Sequence, residues 1–351
     1  MDDVIGSIDL WHSVAFKLVK IIEEFQFKSG KSEDIRNILR LGRPKESSDP
    51  RDKIYALLGH PAFQELGTGP GKDQFIHISY DIPYQDLYYL VAEQLLKLPN
   101  PLYVLGLVQH TAASFKQTDI SWVPQWNINA YIGDLEPLPS RCHFNASAET
   151  APVFMLKSKI LQLQGIAIDT IKWNAEPFDD FFIGEDIWHW VNLIAPIFYD
   201  IRTHLDGFDS AIRSLEEPSI LSKLFFALTT GITSYPQLPL KQRVVDMIVF
   251  LEHIGFDCSK WIQHNGIEGH GELTRFLSDI INSCIGRSFF ITENGQFGLG
   301  PEIVLPSDLV CVFFGASVPY VLRPVGDGKY RICGERYMDD FMDGEAIEML
   351  K

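Results

Sequence analysis

The sequence is short of positive charge. Lysine and arginine together number 30, against 46 aspartates and glutamates, so the formal net charge is −16. Nucleic acids and anionic lipid surfaces attract proteins through clustered lysine and arginine, and no stretch rich in these residues interrupts the acidic average. We therefore expect no nucleic-acid partner and no membrane partner.

Long apolar runs are also missing. The longest ones fall far short of the ~20 residues that a helix needs to span a bilayer. The N-terminal stretch MDDVIGSIDLWHS is acidic and amphipathic, unlike a secretory signal, which has a basic start and an apolar middle. These features predict a cytoplasmic protein.

Cysteine is scarce and widely spaced, and the signatures of common cofactors are absent. The five cysteines form no CxxC pair, which disfavours a disulfide framework and a structural zinc site. The segment GTGPG lacks the Lys-Ser/Thr that completes a phosphate loop. His264 and His270 have no third ligand nearby in the sequence, and no GxSxG motif occurs. We expect no metal and no cofactor.

Aromatic residues, by contrast, are plentiful. The 351 residues include 24 Phe, 12 Tyr and 7 Trp, enough either to fill a core or to line an apolar pocket. The length suggests two or three domains or lobes. In SWVPQW, Pro124 keeps the chain extended, so Trp122 and Trp126 either flank one pocket or pack into the core.

The segment DPRDKIYALLG, residues 49–59, predicts a helix with both ends marked. Asp49 is placed to cap it, Pro50 suits its first position, and Gly59 suits a left-handed end. Only Arg51 and Tyr55 have no evident structural role. We interpret this segment as structural rather than catalytic.

Periodicity predicts the remaining elements and an α+β fold. Apolar residues at helical spacing predict helices over residues 8–25, 83–97, 185–204, 218–229, 240–254 and 272–285. Alternation and turn residues predict strands over 75–80 and 153–172 and several after 287, with hairpins at Asn294-Gly295 and Asp327-Gly328, and a loop over 61–73. The predicted organisation is a mostly helical N-terminal part (1–150), an antiparallel β-rich sheet or small barrel (151–172 and 287–343) and a helical insert (173–286).

Six motifs, in this order, resemble a known family. They are DPRDKIYALLG, SWVPQW, LQLQGIAIDTI, FFITENGQFGLGP, DLVCVFFGASVPYVLRPV and YMDDFMDGEA. Together they resemble the C-terminal region of fungal heterokaryon-incompatibility (HET) proteins, over roughly residues 35 to 347. None of the six is a catalytic signature.

Two departures from the family pattern affect what the resemblance implies. No stretch resembles the SYxWG or WIDxxCIDQ patterns of the N-terminal, TIR-like HET domain, so we expect a stand-alone protein without that effector. Where relatives carry a Val-His-Gly-like step, this chain has Asp339 and Asp340. Neighbouring carboxylates raise one another's pKa and suit a general acid. However, consecutive side chains point apart on a strand, so a solvated turn is the favoured interpretation.

The resemblance implies one enzymatic hypothesis, which we favour at this point. Stand-alone relatives include cyclases of fungal natural-product pathways, so the chain is expected to be a cofactor-independent [4+2] pericyclase acting on a hydrophobic terpenoid or polyketide intermediate. Such an enzyme holds a flexible substrate in its reactive shape within an apolar cavity. The candidate walls are Trp122, Trp126 and Trp188. The candidate polar contacts, which would stabilise developing charge, are His143, His189 and Arg323.

The alternative hypothesis is a non-enzymatic recognition or regulatory protein related to heterokaryon incompatibility. Each candidate residue then packs in the core or carries a surface charge. A homodimer is compatible with either hypothesis. A closed apolar cavity would favour the enzyme, whereas an exposed apolar patch would favour partner recognition.

Overall fold

The structure is a computed structural model of the whole chain. It describes residues 35–67, 75–128, 144–178, 187–205, 207–212, 220–231, 235, 237–264 and 271–350. The chain divides into two compact units. The first comprises residues 1–130, 154–162 and 182–184, and the second comprises residues 131–153, 163–181 and 185–351. The predicted helix over 8–25 lies outside the described residues.

The first unit is built from short helices and one β-hairpin. Its helices are α1 (Ile35–Gly42), α2 (Asp52–Tyr55), α3 (Pro61–Gly67), α4 (Tyr84–Leu95), α5 (Tyr103–Gly106) and α6 (Ala112–Gln117). Helix α4 confirms the prediction for residues 83–97. Its inner face, which includes Leu87, Tyr88, Val91 and Leu95, is fully buried because these apolar residues recur at helical spacing.

The DPRDKIYALLG segment departs from the prediction at both ends. The Asp49 carboxylate accepts the backbone N–H of Arg51 at 2.9 Å, but helix α2 starts at Asp52, and Arg51 at its N-cap position makes no side-chain capping bond. Helix α2 ends at Tyr55, and the chain then continues as turns. Gly59 does not take the left-handed conformation that the pattern suggested.

Two other local predictions for this unit were wrong. Residues 61–67 form helix α3 instead of a loop. Residues 75–80 form no strand, although their alternation suggested one. A strand requires a neighbour for its backbone hydrogen bonds, and Ser79 instead bonds the Tyr55 hydroxyl through its N–H and its C=O.

The hairpin of the first unit consists of β1 (Phe154–Lys157) and β2 (Ile160–Leu163), joined by Ser158 and Lys159. Strand β3 (Gly165–Asn174) follows directly. The three strands confirm the prediction for residues 153–172.

The second unit combines helices with a six-stranded antiparallel sheet. Its helices are α7 (Ile187–His204), α8 (Phe208–Ile212), α9 (Ile220–Thr229), α10 (Leu240–His253), α11 (Ser259–His264), α12 (Leu273–Cys284) and α13 (Glu345–Glu348). The helices predicted over 185–204, 218–229, 240–254 and 272–285 are all confirmed. Phe276 of α12 packs against Phe225 and Phe250, with ring centroids 6.4 and 5.6 Å away, and these rings form the core between the helices.

The sheet is a curled half-barrel. Besides β3 it contains β4 (Arg287–Thr292), β5 (Phe297–Pro301), β6 (Leu309–Phe313), β7 (Tyr320–Gly326) and β8 (Lys329–Glu335), in the order β5-β4-β3-β6-β7-β8. Asp327 and Gly328, with φ of 52° and 68°, make the predicted turn between β7 and β8. The chain just after β8 meets the β5 edge at a bridge between Leu299 and Tyr337.

The α+β fold class, with an antiparallel β-rich C-terminal part, is therefore confirmed. The three-part domain organisation stays a prediction. In the part of the chain that the structure describes, no helix combines the length and apolar character needed to cross a bilayer.

Candidate functional site

The two tryptophans of SWVPQW pack in the interior of the first unit. Trp126 is 1 % exposed and meets Tyr88 edge-to-face, with ring centroids 5.2 Å apart. Trp122 is 8 % exposed and meets Tyr89 in the same way at 5.9 Å. Both contacts are typical of aromatic core packing. Their role as substrate walls stays a prediction.

Trp122 also fixes the tip of the β1–β2 hairpin. Its indole N–H donates to the carbonyl oxygen of Lys159 at 2.9 Å. The ammonium of Lys159 lies 2.8 Å from the Asp86 carboxylate and 5.1 Å from the centre of the Tyr89 ring. The hydrogen bond that Lys159 donates to Asp86 raises the pKa of Lys159. Three side chains from two segments thus hold one exposed turn.

The turn that they hold is a strained one. Ser158 and Lys159 have φ of 50° and 64°. This left-handed conformation costs most residues ~1–2 kcal/mol each, whereas glycine and asparagine adopt it readily. A two-residue turn of this kind matches the twist of a hairpin. Strained backbone that its surroundings hold in place is more common at functional sites than elsewhere.

Strand β1 presents an unpaired edge. The hydrogen bond from Gln164 N–H to Val153 O, 3.0 Å long, fixes the register in which residues 153, 155 and 157 bond the neighbouring strand. The backbone N–H and C=O groups of Phe154 and Leu156 then point away from β2. Within the described residues, β1 has no strand on that side. Such an edge can pair with an extended segment of another chain.

The outer face of the hairpin is apolar and basic. Met155 and Ile160 are 57 % and 49 % exposed, and Lys157 lies between them, also exposed. Residues 152–164 contain two lysines and no acidic residue, in a chain of net charge −16. This face therefore suits an extended partner segment that combines apolar and acidic side chains. We call β1, β2 and their turn the hairpin surface.

Arg51 and Tyr55, the two residues of DPRDKIYALLG without an evident role, act as structural clamps. Arg51 forms two side-chain hydrogen bonds with Asp49, at 3.0 and 2.7 Å, and donates to the carbonyl oxygens of Tyr80 and Ile82. The hydrogen bond with Arg51 lowers the pKa of Asp49. These bonds tie residues 79–82 to the helix, which supports the structural interpretation of this segment.

Two clefts adjoin this clamp. One has a volume of about 370 Å³ and is lined by Ser48, Asp49, Pro50, Arg51, Pro83, Tyr84 and Gln85. The other, of about 520 Å³, is lined by Glu46, Ser47, Ser48, Lys53 and Asn127. Both are open, and polar and charged side chains share their walls with apolar groups. Neither resembles the enclosed apolar cavity that a hydrophobic substrate requires.

Arg323 belongs to the second unit and forms an ion pair. Arg323 lies on β7. Its Nε and Nη2 donate to the two carboxylate oxygens of Asp308 at 2.8 and 2.7 Å. Nη2 also donates to the carbonyl oxygen of Ile303 at 2.5 Å. The hydrogen bond with Asp308 raises the pKa of Arg323. This two-pronged geometry anchors the sheet, and the predicted contact with substrate stays a prediction.

Asp339 and Asp340 lie in a 3₁₀ turn (Asp339–Phe341) and are half-buried, so the predicted turn is present but only partly solvated. Asp339 accepts the Tyr337 hydroxyl at 2.9 Å. Asp340 lies 3.3 Å from the Lys223 ammonium of α9. Burial raises the pKa of Asp339. The two carboxylates thus have different partners, as expected of consecutive side chains that point apart.

The remaining candidate residues are dispersed. Trp188 on α7 is 48 % exposed and packs against His253, with ring centroids 4.7 Å apart. His189 follows it on α7, but its side chain lies outside the described residues, as does His143 altogether. Trp122 and Trp126 belong to the first unit, whereas Trp188 and Arg323 belong to the second. The described residues do not gather the candidates within one unit.

Sequence reasoning missed the hairpin surface. The alternation of residues 153–163 predicted strands, but the turn Ser158-Lys159 contains neither Gly nor Asn, the usual signals of a two-residue hairpin. The signal that was available is an apolar and basic stretch without acidic residues in an acidic chain.

The C-terminal region matches a known domain family. Residues 264–350, about a quarter of the chain, match the Het-6 beta-barrel domain. A curated relative, "Heterokaryon incompatibility protein 6, OR allele" from Neurospora crassa, is 49 % identical over 66 residues. These cover 18 % of this chain and 10 % of the relative, so the chain spans about a tenth of that protein. No solved structure matches the chain. The resemblance to heterokaryon-incompatibility proteins is confirmed for the C-terminal region.

Proposed function

We propose, from the Het-6 beta-barrel domain that residues 264–350 match, that the chain is a recognition or regulatory protein in a fungal system related to heterokaryon incompatibility. It acts by binding a partner protein, and we place it in the cytoplasm. The domain match carries this proposal. It favours the recognition hypothesis over the enzymatic one because the curated relative is a heterokaryon-incompatibility protein.

The hairpin surface supports a protein partner. Its free strand edge, its exposed Met155 and Ile160 and its uncompensated Lys157 are the features that strand addition uses. The partner segment would be extended and would carry apolar and acidic side chains. Backbone hydrogen bonds would supply affinity, and Lys157 would select against basic segments.

A growth assay tests the function. One strain of a filamentous fungus expresses the chain and is combined in forced heterokaryons with a matched strain that lacks it. We expect these heterokaryons to grow more slowly than those formed with an empty vector and to contain more cells that take up a vital dye. Equal growth at a confirmed protein level would contradict the proposal.

A second comparison tests the surface separately. The double variant Met155→Asp/Lys157→Glu changes only exposed side chains of the hairpin surface and is expected to restore normal growth. Lys97→Glu, the same lysine-to-glutamate replacement at an exposed site in the same unit, is the control and is expected to behave as wild type. If the double variant still slows growth, the chain has the function but binds elsewhere.

The cyclase hypothesis predicts a different result. It expects Trp122→Ala and Trp126→Ala to reduce turnover or binding of a hydrophobic terpenoid or polyketide substrate without unfolding the protein. The open clefts give this hypothesis less support than the hairpin surface gives to partner binding. Wild-type turnover by a folded double variant would exclude the proposed pocket walls.

A further inference from the structure

The free edge of β1 is short, and both of its ends are fixed. In the register of the hairpin, only Phe154 and Leu156 of this strand turn their backbone N–H and C=O groups outward. Pro152 precedes them and has no N–H to donate. At the other end, Ser158 and Lys159 leave the extended conformation, with φ of 50° and 64°. The edge therefore accepts about four backbone hydrogen bonds, from roughly five residues of a partner strand.

The charge beside this edge belongs to Lys157. The other lysine of the hairpin, Lys159, lies 2.8 Å from the Asp86 carboxylate. Lys157 is exposed and, in the part of the chain that the structure describes, forms no ion pair. It lies two residues from Met155, which is 57 % exposed, so both side chains stand on the outer face of β1. An acidic side chain opposite Lys157 and an apolar one opposite Met155 complement this face.

Antiparallel pairing makes the best use of these two side chains. It places Met155 and Lys157 in non-hydrogen-bonded pairs, whose side chains approach those of the partner most closely. Parallel pairing has slanted hydrogen bonds and is slightly less stable per residue. Because β1 runs from Met155 toward Lys157, an antiparallel partner meets Lys157 first along its own direction and Met155 two residues later.

These contacts set the order of residues in the partner. We infer that the hairpin surface binds a short linear motif, in which an acidic residue precedes an apolar residue by two positions, as an antiparallel strand on the edge of β1. This inference rests on the proposed function and narrows its partner to a protein that exposes such a segment. So few backbone hydrogen bonds give a weak, transient complex, with a Kd on the order of 100 µM.

Peptides of equal composition test the order and the direction. The probe carries the core Thr-Glu-Val-Ile-Val-Thr, and the control carries the same residues in reverse order, each with the same fluorophore at its N-terminus. Fluorescence anisotropy with the full chain measures their Kd. We expect the probe to bind roughly threefold or more tightly than the reversed peptide, which fits only parallel pairing. A third peptide, with Lys in place of Glu, is expected to bind roughly fivefold or more weakly than the probe.

Exchanging the charge on both sides tests the contact with Lys157. Lys157→Glu is expected to invert the preference, so that the peptide with Lys binds more tightly than the probe with Glu. A purely structural role of Lys157 would not produce this inversion. Lys97→Glu, at an exposed site of the same unit, should keep the wild-type preference.

The outcomes separate this inference from the proposed function. Equal binding of the probe and the reversed peptide would overturn the motif, as would a Lys157→Glu variant that keeps the wild-type preference. Failure of every peptide to bind at roughly 1 mM protein would overturn it as well. None of these results alters the growth assay, in which equal growth contradicts the proposed function itself. Slower growth without peptide binding would leave that function standing and exclude the motif.

Discussion

The hydrogen bonds of Trp122, Arg51 and Tyr55 reach backbone carbonyl oxygens of other segments. Such bonds join pieces of irregular chain that lack a helix or a strand ladder to satisfy them. In a unit built from short helices, side chains take over part of this task. Residues that would suit chemistry therefore have structural roles in the first unit.

The burial of Trp126 yields a prediction of stability. Trp126→Ala is expected to lower the free energy of unfolding by ~3–5 kcal/mol, because it leaves a large cavity beside Tyr88. Trp188→Ala, at an exposed site, is expected to change it by no more than ~1 kcal/mol. Urea unfolding measures both. A similar effect of the two substitutions would contradict the burial of Trp126.

Asp339 yields a prediction about pH. Burial raises its pKa in the folded protein, so protonated Asp339 contributes stability that is fully present below the unfolded pKa of aspartate. This contribution is lost as pH rises through the folded pKa. Asp339→Asn is therefore expected to have a higher Tm than wild type near pH 7, with the difference vanishing on acidification.

Asp340→Asn is the control for that experiment. It removes the partner of Lys223 and should bring no comparable gain at pH 7. Thermal scans between pH 3 and 7 measure both variants. If Asp339→Asn were equally stabilising at every pH, its effect would not come from the ionisation of Asp339.

At the scale of elements, the hairpin surface combines a strained turn with firm anchors. Asp86 and Tyr89 on α4, together with Trp122, hold Lys159, while β1 keeps a free edge. Isolated two-stranded hairpins are marginally stable in water. The anchors therefore explain how this hairpin persists although no further strand lies beside it in the described parts of the chain.

A substitution in the turn tests this balance. Ser158→Asn is expected to stabilise the protein by up to ~1 kcal/mol, because asparagine tolerates positive φ better than serine does. Lys159→Gly relieves the same strain but loses the contact with Asp86, so we expect little net gain. Chemical unfolding compares them. A destabilising Ser158→Asn would show that the turn has another conformation.

For the whole molecule, the described thiols are all interior. Cys258, Cys284, Cys311 and Cys333 are buried and unpaired, and burial raises the pKa of Cys258 and of Cys311 to about 12. All four belong to the second unit. Their reactivity therefore reports the opening of that unit, since thiolates rather than thiols react.

Thiol labelling makes this testable. In native protein at pH 8 we expect at most one cysteine to react quickly with a disulfide reagent, that one being Cys142, which lies outside the described residues. The other four should react at the rate of unfolding and become fast in denaturant. Two or more fast thiols in the native protein would contradict the packing of the second unit.

The sequence predicted long elements well and short ones poorly. Helices α4, α7, α9, α10 and α12 were predictable because each repeats apolar residues over several turns. The Gly and Pro residues nearby predict a loop over 61–67, because they outweigh the weak signal of a helix of about two turns. The hairpin surface was harder to predict from the sequence, because the free edge of β1 depends on which strands become neighbours in the fold.

Periodicity and ordered motifs are local properties of the chain, so they sufficed to predict the α+β class, the antiparallel C-terminal part and the resemblance to heterokaryon-incompatibility proteins. The folded molecule was needed to show that Trp126 is buried while Trp188 is exposed, that Trp122 holds the tip of a hairpin, and that Arg323 meets the Asp308 carboxylate. Those distinctions depend on contacts between residues far apart in sequence, and identical side chains carry no local signal of which partner they will find.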